Sequence, residues 1–530
     1  MNIAVQPVPL LPLAGQMFVE AVSRHRTGQI AEAEALYRAI LAIQPAHAEA
    51  AYNLGVALQT QGRLADAVGA YRHAIAARPD FADAYSNLGT ALQDLGQFDE
   101  AVAIYRKAIA MKPDFAMAFG NLGVALKEQG KFDEAIVAYR NALAIQPDYD
   151  AAYANLGAVL LEQGDTEGAL DACRRAVAAN PRTVIGLCNL GASYKALNRL
   201  DEAEATYRQA LALRPDFPEG HFSLAQILLL KGDLTAAWPE YEWRWKLREY
   251  GWLKAMHGEF AQPRWGGEAL HGKTILVYAE QGLGDTIQFA RFLPEVAARG
   301  GRVVLAVQRP LMALLSQLDG VTVVPLDKPL PPFDVHAPLL SLPGLLGTSL
   351  ETIPARIPYL RANPAGIERW RARIGGAGFK VGLVWAGNPS QRGDRFRSPR
   401  LPAFMPLFAV PGVDFVALQL GAGRDDIATN PLPPNVLDLG PEIADFADTA
   451  AIMAGLDLVI TSCTAPLHLA GALGIPVWGV IPFAPHFFWL LERSDSPWYP
   501  TLRLQRQDRQ GQDWSAVVDR IAVELAGLRG

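Results

Sequence analysis

The sequence predicts an α-helical solenoid followed by an α/β region built from two doubly wound halves. Two observations predict this fold class: a 34-residue period in the first half of the chain, and short apolar strands that alternate with helices from about residue 273. The length of 530 residues is enough for roughly three domains. We expect repeats over residues 14–250, a linker over 251–271, and the two α/β halves over 272–365 and 378–530.

Composition and charge argue against several classes of protein. Half of the residues are apolar and 19% are charged, which is typical of a folded chain. The net charge of −6, without a basic block, predicts neither a nucleic-acid partner nor a membrane-surface partner. Three cysteines are too few for a disulfide framework, so a cytoplasmic location is expected. No apolar run reaches the ~18 residues that span a bilayer, and no basic residue precedes Arg24, so neither a membrane span nor a secretory signal is expected.

The repeat is defined by proline, glycine and tyrosine in fixed phases. Each unit is expected to form two helices joined by a glycine turn, with the tyrosine of the second helix filling the space against the next repeat. Six repeats span residues 14–217, and a degenerate seventh follows from 217 to about 250. The period resembles the tetratricopeptide repeat, which implies a concave groove for a protein or peptide. The prolines are Pro45, Pro79, Pro113, Pro147, Pro181 and Pro215.

An asparagine recurs in the same phase of five repeats, inside the first helix of each pair. Asparagine is a poor helix former, so its recurrence needs an explanation. The row resembles the asparagine ladder of the nucleocytoplasmic O-linked GlcNAc transferase, which implies that the amides bind the main chain of an acceptor peptide. The alternative is that each amide bonds the backbone of a neighbouring repeat. The five residues are Asn53, Asn87, Asn121, Asn155 and Asn189.

The second half reads as fully apolar strands separated by helices, which predicts parallel sheets covered on both faces. In such folds a ligand binds in the crevice at the carboxyl ends of the strands. A hinge between the halves is expected near residues 362–378. We expect strands at 274–279, 303–307, 321–326, 380–385, 415–420, 436–439, 458–461 and 477–481, and helices at 286–299, 311–318, 444–454 and 466–473.

A glycine-containing loop follows the first strand and opens a helix. Gly282 and Gly284 allow a tight turn, and Asp285 lies in the first helical turn, where a carboxylate is favoured. The third glycine of a dinucleotide-binding fingerprint is missing, which argues against an oxidoreductase. Asp285 is either a helix cap or a functional carboxylate.

A second loop, at the end of the strand predicted over 380–385, contains Asn388, Arg392, Arg395, Arg397 and Ser398. Because guanidinium groups match phosphate oxygens, this loop is either a phosphate clamp or a solvated charged loop.

The third loop places Thr464 and Ala465 at a helix N-terminus, which is suited to an anion. His468, one turn later, faces either the ligand or the core. The aromatic stretches 482–489 and 497–499 either stack on a base or sugar or belong to the core.

Together, Gly284-Asp285, the arginine loop and the run from Thr464 to Ala470 resemble the lipopolysaccharide heptosyltransferase family. This resemblance implies the GT-B fold, with two Rossmann-like halves, and transfer of a sugar from a nucleotide donor without a metal or another cofactor. It implies Asp285 as the general base. One departure is Cys463, which stands where the family usually has Asp and would allow an inactive domain. The donor-binding residues that we expect are Gly282, Gly284, Asn388, Arg395, Arg397, Ser398, Thr464, Ala465 and His468.

The fusion of repeats with such a domain resembles bacterial protein glycosyltransferases, including those that modify flagellin. The sequence therefore predicts an enzyme that transfers a sugar to a hydroxyl group of a protein held by the repeats. Two alternatives stay open: a non-catalytic repeat scaffold with a degenerate domain, and a glycosyltransferase acting on a glycan or lipid.

Overall fold

The computed structural model describes residues 10–247, 250–252, 256, 258–376, 378–391, 393–511 and 513–528. The chain divides into two compact units, of which the first ends at Ser193 and the second runs from Tyr194 to Gly530. The repeats predicted over residues 14–250 therefore contribute to both units. Arg392 of the predicted arginine loop lies outside the described residues, as do residues 253–255 and 257 of the predicted linker.

Antiparallel helix pairs make up the first unit, as the 34-residue period predicts. Each turn inside a pair ends in a residue of positive φ, such as Gly62 at +74° and Gly164 at +84°, where glycine is favoured because it lacks a Cβ. The predicted helical solenoid is confirmed. Its helices are α1 (Leu10–Arg26), α2 (Ile30–Ile43), α3 (Ala48–Thr60), α4 (Leu64–Ala77), α5 (Ala82–Asp94), α6 (Phe98–Met111), α7 (Ala116–Glu128), α8 (Phe132–Ile145), α9 (Asp150–Gln163), α10 (Thr166–Ala179) and α11 (Val184–Ala196), the last of which runs into the second unit.

The phased tyrosines are buried between the two helices of their own repeat. A Cβ on Gly89 would lie 2.6 Å from Cε1 of Tyr105, and Gly123 approaches Tyr139 equally closely. The tyrosine ring therefore packs on the glycine of its own repeat, a contact that the sequence did not predict. The Tyr37 hydroxyl also bonds the Asn53 amide of the next repeat, in the direction that the sequence led us to expect.

Three repeat helices belong to the second unit: α12 (Leu200–Leu213), α13 (Pro218–Lys231) and α14 (Leu234–Tyr241). Asn198 takes the place of the turn glycine with a φ of +56°. The last helix is only 8 residues long, contains Pro239 and continues as a 3-10 turn over Glu242–Lys246. The predicted degenerate seventh repeat thus has a shortened second helix.

Two parallel sheets follow in the second unit. The first has the strand order β3-β2-β1-β4 and the second has the order β10-β9-β8-β5-β6-β7. The predicted α/β architecture is present, although β4 and β10 were not predicted from the sequence. The strands are β1 (Thr274–Tyr278), β2 (Arg302–Val307), β3 (Val321–Pro325), β4 (Val335–Pro338), β5 (Phe379–Val384), β6 (Val413–Ala417), β7 (Val436–Asp438), β8 (Leu458–Ser462), β9 (Val477–Ile481) and β10 (Leu502–Arg506).

The helices between these strands are short. The helix predicted over 286–299 begins earlier and is interrupted by a 3-10 turn at Ala290–Phe292, just before Pro294. The segment predicted as a hinge contains a helix over Pro364–Ile374, capped by the Asn363 side chain. The helices are α15 (Leu283–Phe289), α16 (Leu293–Ala297), α17 (Met312–Leu315), α18 (Leu342–Leu345), α19 (Pro364–Ile374), α20 (Asp394–Arg397), α21 (Leu401–Phe404), α22 (Asp426–Thr429), α23 (Phe446–Met453), α24 (Ala465–Leu473) and α25 (Ser515–Gly527).

Buried polar contacts join the two sheet-bearing halves of the second unit. The Arg291 guanidinium donates to the Trp498 carbonyl oxygen at 2.7 Å, and the Tyr359 N–H donates to the Ala472 carbonyl oxygen at 3.1 Å. Arg291 also lies over the rings of Tyr359 and Tyr499. Among the described helices, none is both long enough and apolar enough to cross a lipid bilayer.

Candidate functional site

The three predicted site loops follow strands at the reversal points of the two sheets. In the first sheet, β1 lies between β2 and β4, and in the second sheet β5 lies between β6 and β8. A crevice opens at such a reversal because the helices on either side turn to opposite faces. The loops that contain Asp285, Arg397 and Thr464 follow β1, β5 and β8, respectively.

Asp285 is held by the backbone of its own loop. Its Oδ2 accepts a hydrogen bond of 3.0 Å from the N–H of Gly282, the N-cap residue of α15, so the carboxylate does help to cap the helix. Burial raises the pKa of Asp285 to about 6, and the nearby positive charge of Arg397 acts in the opposite direction. The carboxylate is therefore ionised at neutral pH and is a stronger base than an ordinary aspartate.

Gly284 brings this loop against the third loop. A Cβ at Gly284 would lie 2.8 Å from Cδ2 of His468 and 3.3 Å from Cα of Ala465, so only glycine allows the two helices this approach. The geometry thus places the first turn of α15 on the first turn of α24.

His468 is buried at this junction, with one ring edge against Gly284. Its Nδ1 lies 3.1 Å from the Tyr499 hydroxyl, and its ring stacks on Trp489 at a centroid distance of 5.1 Å. Burial lowers the pKa of His468 to about 3, so the ring is neutral. His468 is therefore mostly a core residue, and a role for it in donor binding stays a prediction.

The arginine loop folds back on Gly387. A Cβ at Gly387 would lie 2.5 Å from Oδ1 of Asp394, and 3.1 Å from both Nη2 of Arg397 and Cγ2 of Thr464. The Ser398 hydroxyl accepts from the Gly387 N–H at 2.9 Å. Arg397, Ser398 and Thr464 thus gather at one place, close to Asp285.

Buried Asp394, which the sequence did not single out, orients this group. It accepts from Nε of Arg397 at 3.0 Å and from the Ser398 hydroxyl at 3.1 Å. Arg397 also donates to the Gln391 amide oxygen, and 29% of its side chain is exposed. The guanidinium is fixed in direction while part of it faces solvent.

Asn388 and Arg395 are exposed and stand apart from this group. The Asn388 side chain accepts from the N–H and the hydroxyl of Ser390, and the Arg395 guanidinium lies 4.6 Å from the ring centre of Phe396. Among the residues that the structure describes, neither makes a hydrogen bond or ion pair with another predicted site residue.

Cys463 is buried beneath the site. Its sulfur accepts from the Trp489 indole N–H at 2.9 Å, and burial raises the pKa of the thiol. A nucleophilic role for Cys463 is therefore disfavoured. Phe487, Phe488 and Trp489 are buried, which favours the interpretation of this aromatic stretch as core.

Half-buried asparagine amides of the row donate hydrogen bonds to the preceding repeat. Asn189 donates to the Ala154 carbonyl oxygen at 2.8 Å, and Asn87 donates to the Tyr52 hydroxyl at 2.9 Å. Asn121 donates to the Thr90 hydroxyl at 3.4 Å, and the Asn53 amide bonds the Tyr37 hydroxyl. The backbone bond that the alternative expected is present at Asn189. Contact of this row, including Asn155, with a peptide stays a prediction.

The repeat region contributes residues to the α/β part of the second unit that the sequence did not reveal. The Gln281 amide donates to the Tyr241 hydroxyl at 2.7 Å, four residues before Asp285. Fully buried Arg244 and Glu280 form an ion pair of 2.9 Å, and Glu280 also accepts from the Leu340 N–H. No sequence signal links these partners, since contacts between distant segments arise only in the folded chain.

In the described ranges, no group of three or more His, Cys, Asp or Glu residues could hold a metal ion.

Comparison with known proteins identifies the repeats. Profiles described as "Tetratricopeptide repeat" match residues 18–82, 82–115, 104–137 and 151–180, and a "TPR repeat" profile matches 125–164 and 193–232. Residues 18–180 and 193–232 are therefore tetratricopeptide repeats. Among curated proteins, "Protein FlbA" of Caulobacter vibrioides is 30% identical over 370 residues, which cover 62% of this chain. The chain matches 60% of the length of that relative.

Several solved structures are similar to part of this chain. Pseudomonas aeruginosa pilF is 20% identical, with a TM-score of 0.36 over 40% of this chain and 96% of that chain. A tetratricopeptide repeat protein from Parabacteroides merdae is 15% identical, with a TM-score of 0.39 over 44% of this chain and 91% of that chain. TTC0263 from Thermus thermophilus is 24% identical, with a TM-score of 0.31 over 34% of this chain and 99% of that chain.

Proposed function

We propose that this chain is a metal-independent glycosyltransferase that moves a sugar from a nucleotide donor to a hydroxyl group of a protein acceptor. The observation that supports this most is the convergence of Asp285, Arg397 and Thr464 at the reversal points of two parallel sheets. A base beside a guanidinium and a helix N-terminus is the arrangement that this transfer requires.

In the proposed reaction, Asp285 takes the proton of the acceptor hydroxyl as its oxygen bonds to the anomeric carbon of the sugar. The bond from that carbon to the donor phosphate breaks, and the nucleoside diphosphate leaves with the electron pair. Arg397 and the backbone N–H groups at the start of α24 stabilise the negative charge of this leaving group. The buried Asp394 keeps Arg397 in place for this role.

The acceptor in this proposal is a protein segment bound by the repeats. The half-buried amides provide hydrogen-bonding groups that do not depend on the peptide's sequence. Replacing Asn87 and Asn121 with Ala is expected to weaken acceptor binding, whereas Asn141→Ala, on the exposed face of α8, is not. Equal binding by both variants would exclude the amide row from acceptor recognition.

A thermal-shift screen against UDP-, GDP-, ADP-, dTDP- and CMP-linked sugars tests the donor site directly. A specific donor raises the unfolding temperature of the wild type by mass action. Arg397→Ala is expected to abolish that shift, and Arg371→Ala is the control because Arg371 is an exposed residue of α19 paired with Glu368. Absence of any shift for the wild-type protein would contradict the proposal.

A non-catalytic scaffold is the second candidate. It is favoured by the internal engagement of Arg397 with Asp394 and Gln391, and by the buried, weakly acidic Cys463 at the strand end. A scaffold retains acceptor binding through the repeats but neither binds a nucleotide sugar nor consumes one, which the same screen distinguishes.

A further inference from the structure

Lys195, near the end of α11, lies where the repeats adjoin the loop after β9. Three residues later, the Asn198 side chain donates to the Phe483 carbonyl oxygen at 2.7 Å. This bond fixes the end of α11 against the segment 482–489, in which the Trp489 indole N–H donates to the buried sulfur of Cys463. Lys195 is thereby placed at the edge of the candidate site rather than on a remote repeat surface.

The positive charge of Lys195 has no carboxylate partner in the described part of the chain. Its Nζ donates only to the amide oxygen of Gln226. By contrast, Nζ of Lys231 lies 2.7 Å from Asp201 and 2.8 Å from Glu204. Burial lowers the pKa of Lys195 to about 8, whereas hydrogen bonds to the two carboxylates raise the pKa of Lys231. A half-buried ammonium group without a counter-charge is unfavourable unless an anion binds next to it.

Two further basic groups adjoin the same place. Burial, followed by the positive charges of Lys195 and Arg397, lowers the pKa of His486, although the residue retains an exposed surface. Arg397 in turn acts on Asp285. His486 is thus close enough to two positive groups to be affected by both, and one of them, Lys195, belongs to the repeat region.

We propose that Lys195 is a phosphate-binding residue of the donor site that acts together with Arg397. This inference rests on the proposed function and adds to it a specific role for the repeats: they supply part of the pocket for the donor diphosphate. Phosphate oxygens are the favoured ligand because an ammonium and a guanidinium together complement a doubly charged group. An acidic peptide is the alternative ligand, which the experiment must distinguish from phosphate.

Titration calorimetry of the full chain with inorganic pyrophosphate tests the proposal. We expect the wild type to bind and Lys195→Met to bind on the order of tenfold or more weakly, as for loss of a charge-assisted contact. Lys231→Met is the matched control and should bind like the wild type, while Lys195→Arg should retain most of the affinity because it keeps the charge. If Lys195→Met does not fold, Lys195→Gln takes its place in the comparison.

The inference is overturned if wild-type protein does not bind pyrophosphate, if Lys195→Met binds it normally, or if Lys195→Arg loses as much affinity as Lys195→Met. It is also overturned if Lys195→Met loses affinity for an acidic peptide but not for pyrophosphate. Failure of the proposed function gives a different result, since no nucleotide sugar then binds to the wild type. If donors bind and sugar transfer is unaffected by Lys195→Met, the inference alone fails.

Discussion

The two compact units differ in what they bury. In the described part of the first unit, the buried polar side chains are neutral, and ion pairs such as Arg106–Glu134 lie in solvent. The second unit buries Arg244, Glu280 and Arg291. Burying charge is unfavourable unless each group is paired, so regions that do so are candidates for function rather than for stability alone. The difference separates a repetitive framework from a unit whose buried charges adjoin the predicted site.

The largest loss of stability is expected from a substitution that tests whether the buried charges of the second unit depend on their partners. Arg244→Met leaves the Glu280 carboxylate without its partner and should lower the free energy of unfolding by about 3–5 kcal/mol. The double variant Arg244→Met/Glu280→Leu removes both charges and should recover most of that loss. Urea unfolding followed by circular dichroism measures both variants. Equal losses in the single and double variants would show that packing, not charge, determines the effect.

A second prediction concerns the steric basis of the repeats. Gly123→Ala places a Cβ 2.5 Å from Cε1 of Tyr139, so it should destabilise the first unit by about 1–3 kcal/mol. Gly69→Ala is the matched control, because a Cβ on this exposed glycine of α4 would meet no atom within 4 Å. It should instead stabilise the helix by about 0.5–1 kcal/mol. If thermal unfolding showed that both variants change stability in the same direction, the close tyrosine–glycine packing would be refuted.

A third prediction concerns the raised pKa of the Asp285 carboxyl group. Its pKa in the folded protein, about 6, lies above the ordinary value of 3.8, so the folded state holds the proton more tightly than the unfolded state. Stability therefore falls as the pH rises from about 4 to 6, and the ionised carboxylate is unfavourable at pH 7. Asp285→Asn should raise the free energy of unfolding by roughly 1–2 kcal/mol at pH 7, after discounting for partial exposure, and by much less at pH 4.

The same substitution separates stability from activity. If Asp285 is the general base, transfer by Asp285→Asn should fall by about 10²–10⁴-fold, and wild-type activity should decline below a pH of about 6 as the carboxylate takes up a proton. A variant that is more stable and fully active would leave Asp285 as a helix cap only.

The smallest expected effect is at the surface of the repeats. The Arg106–Glu134 pair spans 2.8 Å between adjacent repeats, with more than half of each side chain exposed. Arg106→Ala should change the free energy of unfolding by less than about 0.5 kcal/mol, and added salt should reduce even that difference. A loss approaching that of Arg244→Met would remove the contrast between the two units.

The sequence was most informative in the repeats, where the same residue types recur at the same positions for the same steric reason. A glycine turn and a buried tyrosine recur in phase, so the helix pairs could be predicted. Fully apolar strands were equally recognisable, whereas β4 and β10 were missed. β4 ends in Pro338 and contains His336, and β10 alternates Arg503 and Gln505 with apolar residues. Because polar residues or proline interrupt their apolar residues, these two strands do not show the continuous apolar pattern of a buried strand.

The candidate site was only partly accessible from the sequence. Loops after parallel strands could be expected to meet, which gave Asp285, Arg397 and Thr464 as neighbours. The partners Asp394, Arg244 and Lys195 could not be predicted, because their roles depend on which distant segments pack together. Asn388 and Arg395 resemble site residues in the sequence, but their side chains turn towards their own loop.

The division of the chain at Ser193 has an evolutionary consequence. Repeats of this kind contact mainly their immediate neighbours, so whole 34-residue units can be duplicated or lost among α3–α10 without altering the residues beyond Tyr194. The helices after that point do not share this freedom, since Tyr241 and Arg244 bond the loop that contains Asp285. Descendants of an ancestral chain can therefore vary in repeat number towards the N-terminus, while the last two repeats diverge together with the sheets.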